Sequence, residues 1–183
     1  FFLVTIALQQ GMGYTAVAAG LAGIPVTVML ALFSSKVRGL LPKLGARLLL
    51  TVGPLIMAIG MVWLGLMRPG QSYWTGVLPG FLTFAAGLVL VVAPVTATAL
   101  ADVSADESGT ASGVNNAVAR IGSLIAIILL PLVGGLAATQ ADGLSTGITI
   151  LDGYRTAMIA AAIVCVVGAG LAAVGFNGKD GRV

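Results

Sequence analysis

The chain has 183 residues, of which 58% are hydrophobic and only 8% are charged, and its mean hydropathy is +1.10. A water-soluble domain of this size would have too few charged side chains to cover its surface. The net charge of +3 comes from basic residues at the ends of apolar segments rather than in one patch, which argues against nucleic-acid binding. The single cysteine and the lack of histidine exclude an internal disulfide and argue against a His or Cys metal site.

Five apolar stretches of about twenty residues follow one another, separated by short polar or Gly/Pro-rich turns. A helix of that length crosses a hydrocarbon core of roughly 30 Å, at about 1.5 Å per residue. We therefore predict an all-α integral membrane protein with five complete spans, preceded by a truncated one, and a short polar tail. The predicted elements are Phe1–Leu8 (partial), Ala16–Ser35, Leu48–Met67, Gly76–Leu100, Gly109–Ala138, Tyr154–Phe176 and the tail 177–183.

The chain starts at Phe1 with no cleavable signal pattern, so we expect it to be the downstream part of a longer protein. Short loops predict that consecutive spans are antiparallel neighbours in one bundle. Many glycines punctuate the spans, including Gly60, Gly65 and the pair Gly109 and Gly113. In lipid, small residues allow helices to approach closely, so these glycines predict helix–helix contacts.

Basic and aromatic residues alternate between the two sets of span ends. Four basic residues lie in the loop Lys36–Arg47 and two more in the tail. The loops at the other ends of the spans hold only Arg68 and Arg155. Basic loops stay in the cytoplasm and aromatic rings favour the headgroup layer, so we predict a cytoplasmic C-terminus. The aromatic residues at the other ends are Tyr14, Trp63, Tyr73, Trp74 and Tyr154.

Few polar side chains lie inside or beside the spans. They are Gln9, Gln10, Asn115, Asn116 and Arg120. Polar groups in a membrane are costly and often mark a functional site, so these five are candidates for a substrate cavity; the alternative is hydrogen bonding between helices. Two frames are open for Arg120: a span that starts near Gly109 and places it near the bilayer centre, or a span Ile121–Ala141 with Arg120 at its cytoplasmic edge. We favour the second.

No catalytic constellation is present, because the chain has no histidine, a single apolar-flanked Cys165 and no carboxylate inside an apolar run. No Walker-type phosphate loop occurs either. We therefore predict a protein that is not an enzyme and needs no cofactor or metal.

Three stretches resemble the C-terminal half of major facilitator superfamily transporters, and in particular the fourteen-span drug:proton antiporters. Residues 8–15 (LQQGMGYT) resemble the start of that half, and residues 108–122, from SGTASG to RIG, resemble the penultimate span. Residues 152–155 (DGYR) resemble the entry to the last span. The resemblance covers essentially the whole chain.

The loop Lys36–Arg47 resembles the second copy of the superfamily's loop motif. Gly45 and Arg47 match this motif, whereas Val37 and Leu41 stand where a glycine and an acid are expected. These departures weaken the case for a gating role and leave an orienting role for the basic residues.

The resemblance implies a six-helix half-bundle of a secondary transporter that works by alternating access, with its substrate between two halves. It also implies export of small amphipathic or cationic compounds, proton coupling and a location in the plasma membrane. The expected partners are the lipid bilayer, the missing N-terminal half, a small-molecule substrate and protons, and no nucleic acid. The alternatives are a facilitator-type metabolite permease and a membrane scaffold that does not transport.

Overall fold

A computed structural model describes residues 1–100, 107–135 and 147–175, with the side chains of 93, 96–100 and 147–149 excepted. The described residues contain helices and turns and no strand. In chain order these are α1 (Phe2–Ile6) with a π-helical turn (Ala7–Gly11), α2 (Ala16–Ala22), α3 (Ile24–Gly65), a second π-helical turn (Tyr73–Val77), α4 (Leu78–Leu100), α5 (Ser108–Val133) and α6 (Gly147–Gly175). The predicted tail 177–183 and residues 136–138 of a predicted span lie outside the described residues.

Four of the described helical stretches are long and apolar enough to cross a membrane. They are Ala16–Gly65, Tyr73–Val92, Ser108–Val133 and Ile150–Gly175. The prediction of an all-helical membrane protein is therefore confirmed at the level of four such helices. The first stretch has 50 residues and would be about 75 Å long if straight, more than twice the thickness of a hydrocarbon core.

The helix α3 doubles back at Gly45. This residue has φ 76° and ψ 152°, a backbone conformation that is essentially restricted to glycine. The Phe1 side chain lies beside Gly23, just before α3, and also lines a cavity with Met61 and Leu64 near its other end. In a straight helix those ends would be almost 60 Å apart. The structure thus contains two antiparallel helices, α3a (24–44) and α3b (46–65), joined at one residue.

The reversal changes the extent of the predicted loop Lys36–Arg47. Helical backbone continues through all its residues except Gly45. Lysine, arginine and leucine are strong helix formers, so α3a extends beyond its apolar part to Leu44. The loop between the two helices is therefore a single glycine rather than twelve residues.

The core lies where the short α1 meets the second half of α3, α4 and α6. Its buried residues include Leu8, Leu64, Phe81, Ala157 and others that form one cluster. A smaller cluster of Val37, Leu49 and Val89 ties the two helices near Gly45 to α4. The described turns at Gly45 and before Tyr73 thereby lie at opposite ends of the bundle.

Candidate functional site

One face of α5 carries the small and polar residues that the sequence singled out. Gly109, Gly113, Asn116 and Arg120 follow one another at spacings of four, three and four residues, so they share a face of the helix. All four are exposed, and no described atom lies within 4 Å of a Cβ built on either glycine. Within the described chain, the prediction that this glycine pair marks a helix–helix contact is wrong.

The whole of α5 is poorly covered by its own bundle. None of its 26 residues is buried, although it is apolar enough to span a membrane. It contacts α6 near its C-terminal end, where a Cβ on Gly134 would lie 2.4 Å from the carbonyl oxygen of Gly153. Its N-terminal part, with Asn115 half-buried and Asn116 exposed, stands clear of any described buried core.

The depth of Arg120 follows from the limits of α5. The helix begins at Ser108 and ends at Val133, where Gly134 and Gly135 form a turn. Only thirteen helical residues follow Arg120, and they extend about 20 Å, which is too short to cross the hydrocarbon core. The described helix therefore does not continue through the favoured frame Ile121–Ala141, of which residues 136–141 lie outside the described residues. Arg120 lies about 18 Å along the helix, well inside the candidate span.

The guanidinium of Arg120 has no hydrogen-bond or ion-pair partner among the described residues. The hydrogen bond recorded at this residue is made by its backbone carbonyl, which accepts from the Ser123 hydroxyl at 2.8 Å. An unpaired cation at membrane depth is costly on a lipid-facing surface. This face of α5 is therefore unsuited to contact with lipid.

The glutamine pair lies at the other end of the bundle. Gln9 is half-buried and Gln10 is exposed in the π-helical turn after α1, a deviation from regular helix that often occurs at functional sites. A Cβ on the neighbouring Gly11 would lie 2.7 Å from the Leu151 side chain, so this turn packs against the start of α6.

The five cavity candidates therefore form two groups at different depths. The turn with Gln9 and Gln10 packs at Leu151, while α5 packs at Gly153 through Gly134. Asn116 and Arg120 precede Gly134 by 18 and 14 residues, which places them about 27 Å and 21 Å away along α5. Helical spacing alone could not reveal this separation, since it depends on how α5 runs against α6.

The two loop-motif residues make a turn and a helix cap. Gly45 allows the reversal between the two halves of α3, and Arg47 follows it directly. The Arg47 Nη2 donates a hydrogen bond of 2.6 Å to the carbonyl oxygen of Ala173, near the end of α6 at Gly175. A cation that binds the last carbonyl groups of a helix also complements its dipole. Arg47 thus ties the reversal at Gly45 to the C-terminal end of α6.

Tyr154 packs inside the protein. Its side chain is 1% exposed and belongs to the main core cluster, so the ring does not face lipid, and its depth in the membrane stays a prediction. Its hydroxyl is buried and has no hydrogen-bond partner among the described residues. The helix begins at Gly147, seven residues earlier, so Tyr154 lies two turns inside it. The apolar Ile148, Ile150 and Leu151 before the DGYR sequence were the signal for this earlier start.

The described residues contain no group of three or more His, Cys, Asp or Glu side chains that could hold a metal ion. Their polar groups are suited to binding and packing rather than to covalent chemistry, since no nucleophile is paired with a base.

No protein-family model matches the chain, but several curated proteins are similar to it. The cephamycin export protein CmcT of Amycolatopsis lactamdurans is 32% identical over 74% of this chain and 28% of its own length. The puromycin resistance protein pur8 of Streptomyces alboniger is 33% identical over 94% of this chain and 36% of its own length. The multidrug resistance protein Stp of Mycobacterium tuberculosis is 32% identical over 70% of this chain and 24% of its own length.

The chain therefore spans about a quarter to a third of the length of these relatives. Their names are those of export and resistance proteins rather than enzymes, as the sequence predicted. The predicted resemblance is confirmed: this chain is a relative of bacterial drug-export and drug-resistance proteins, in keeping with a transporter of the drug:proton antiporter type in the major facilitator superfamily.

Proposed function

We propose that this chain is the C-terminal six-helix half of a secondary transporter that exports small amphipathic or cationic compounds, driven by protons and working by alternating access. The doubling of α3 at Gly45 supports this helix count, since it gives five helices of spanning length after the short α1. The names of the relatives, which include cephamycin export and puromycin resistance, support a small organic cargo.

The observation that carries the proposal is the uncovered face of α5. A spanning helix with no buried residue and an exposed arginine at membrane depth needs a protein partner or a water-filled cavity beside it. In transporters built from two halves, the substrate site lies between those halves near the middle of the bilayer. We assign the face of Gly109, Gly113, Asn116 and Arg120 to that contact, and Gln9 and Gln10 to the opposite mouth of the same cavity.

The test is complementation with the missing half. Membranes that hold this chain alone should show no export of a fluorescent cationic drug, because half of the binding site is missing. Co-expression with the upstream half of the same protein should restore proton-dependent export, and a membrane uncoupler should abolish it. Export by this chain alone in liposomes would contradict the half-transporter assignment. Restored export that persists without a proton gradient would contradict proton coupling.

Arg120 provides a residue-level prediction in the two-half protein. Arg120→Ala should lower the initial export rate about tenfold, which corresponds to roughly 1.4 kcal/mol of barrier. Arg120→Lys should rescue it only partly if the guanidinium makes forked contacts. The rates are compared at matched membrane abundance. The control is Arg38→Ala, which replaces an exposed arginine near the C-terminal end of α3a. Equal rates for Arg120→Ala and the control would leave Arg120 as an orientation signal.

The orientation in the plasma membrane is a separate proposal, with the basic end at Gly45 in the cytoplasm. The Tyr73 hydroxyl donates a 3.0 Å hydrogen bond to the Ala22 carbonyl, so the end of α2 lies next to the aromatic turn Tyr73–Val77. Arg47 and Ala173 meet at the opposite end. The C-terminus would then be cytoplasmic.

Cysteines placed at Lys43 and Ser72 test this orientation in a Cys165→Ala background. An impermeant thiol reagent added to intact cells should label position 72 and leave position 43 unlabelled until the cells are opened. The parent without cysteine should stay unlabelled throughout. Labelling of position 43 alone in intact cells would reverse the proposed orientation.

A further inference from the structure

An apolar groove runs between α3b and α6 on the outside of the bundle. It has a volume of about 730 Å³, within the roughly 300–1,000 Å³ range of small-molecule pockets. Its walls are apolar side chains that include Leu55, Ile59 and Trp63 on α3b and Ile159 and Ile163 on α6. From Leu55 to Leu66 it follows about 17 Å of helix, close to half of a hydrocarbon core of roughly 30 Å. The groove thus has the length of one leaflet.

A polar cavity continues the groove at one end. Leu66 lines both, and the cavity, of about 200 Å³, is also lined by Arg68, Asp152 and Arg155. None of these three side chains forms an ion pair or a hydrogen bond with another described residue. The hydrogen bonds here involve backbone groups: the N–H and carbonyl of Arg68, both with Gln71, and the carbonyl of Asp152, which accepts from Thr156. Two arginines against one carboxylate leave the cavity with a net positive charge.

Aromatic side chains place this cavity at the level of lipid headgroups. The Trp63 indole, which lines the groove, donates a 3.0 Å hydrogen bond to the carbonyl oxygen of Gly76. Tyr73 and Trp74 lie nearby with their rings 5.7 Å apart, edge to face. Tryptophan and tyrosine favour this depth because their rings are apolar and their N–H or O–H groups are polar. The groove therefore lies in the acyl-chain layer and the cavity in the headgroup layer.

We propose that the groove and the cavity together bind one anionic phospholipid. One acyl chain lies along the groove between α3b and α6, and the headgroup phosphate lies between Arg68 and Arg155. Guanidinium groups bind phosphate through parallel charge-assisted hydrogen bonds, and these two have no competing partner in the described chain. Asp152 repels an anionic headgroup, so it reduces the preference for an anionic over a zwitterionic headgroup without abolishing it.

Trp63 allows a direct test, since the chain has only two tryptophans and Trp74→Phe leaves Trp63 as the single one. The chain is reconstituted in phosphatidylcholine bilayers that contain a small fraction of either phosphatidylglycerol or phosphatidylcholine with brominated acyl chains, which quench tryptophan fluorescence on contact. Brominated phosphatidylglycerol should be preferred at Trp63 by at least about fivefold, the factor that one basic side chain supplies at a charged membrane surface. Equal quenching by the two lipids would show bulk lipid contact only and overturn the proposal.

Variants at the cavity identify the headgroup contact. Arg68→Gln with Arg155→Gln should reduce the preference to about one, whereas the matched pair Arg38→Gln with Lys43→Gln, at the opposite end of the bundle, should leave it unchanged. Asp152→Asn, which removes no cation, should increase the preference and keeps the test decisive if the double arginine variant is unstable. A preference that survives the arginine changes, or that Asp152→Asn leaves unchanged, would contradict the assignment.

Discussion

Replacing Gly87 with leucine is expected to lower the free energy of unfolding by at least about 3 kcal/mol, the upper end of the usual range for an overpacked core. A Cβ on Gly87 would lie 2.5 Å from the carbonyl oxygen of Gly53 and 2.6 Å from the backbone nitrogen of Met57. Backbone atoms cannot move aside as the end of a side chain can. The larger residue must therefore push α4 away from α3b along their whole contact.

A similar contact recurs about one turn away along α4, at Phe84. A Cβ on Gly60 would lie 2.5 Å from the backbone nitrogen of Phe84. The glycines thus allow the two helices to touch along their backbones, which confirms the prediction for Gly60 that small residues mark helix–helix contacts in lipid.

Thermal unfolding in detergent micelles measures the effect, and Gly168→Leu is the matched control. Gly168 lies inside α6 with nothing within 4 Å of its Cβ position. Its replacement should keep or raise stability, since leucine is the better helix former. Similar melting temperatures for the two variants would contradict the close backbone contact at Gly87.

Tyr154→Ala is the second change with a large expected effect. The ring is 1% exposed in the main core cluster, so its removal leaves a cavity and should cost about 3–5 kcal/mol of unfolding free energy. Tyr154→Phe should instead be neutral or stabilising by roughly 1 kcal/mol, because a buried hydroxyl without a partner carries an uncompensated desolvation cost.

Tyr73→Phe supplies the comparison for that pair. It removes a hydrogen bond of 3.0 Å to the Ala22 carbonyl oxygen and should cost about 1 kcal/mol in the same thermal unfolding assay. A loss of stability in Tyr154→Phe as large as that in Tyr73→Phe would show that the Tyr154 hydroxyl has a partner. Lost export with unchanged stability would instead assign this hydroxyl to transport.

The sequence predicted helices better than it predicted which of their faces are covered. Apolar runs located the spanning stretches because the thickness of the hydrocarbon core fixes their length. In a soluble protein, a polar face would have shown which side of α6 lies inside. In lipid, both faces are apolar, so the buried Tyr154 and the exposed Val164, 69% accessible, occur in the same kind of run.

The candidate site shows the same limit. The spacing of Gly113, Asn116 and Arg120 is enough to place them on one face of α5, because helical periodicity is local. Their distance from Gln9 depends on the packing of two helices against α6, which no local pattern encodes. The cover of that face, which we assign to the proposed second half of a transporter, cannot be read from the residues of this chain.

The junction at Gly45 also determines how this part of the molecule can move. The two long helices are joined through one glycine, so its two backbone dihedrals are the only ones through which α3a can pivot against α3b at the junction. The backbone contacts at Gly60 and Gly87 fasten α4 to the second of them. A pivot at Gly45 would therefore move α3a against α3b and α4 together.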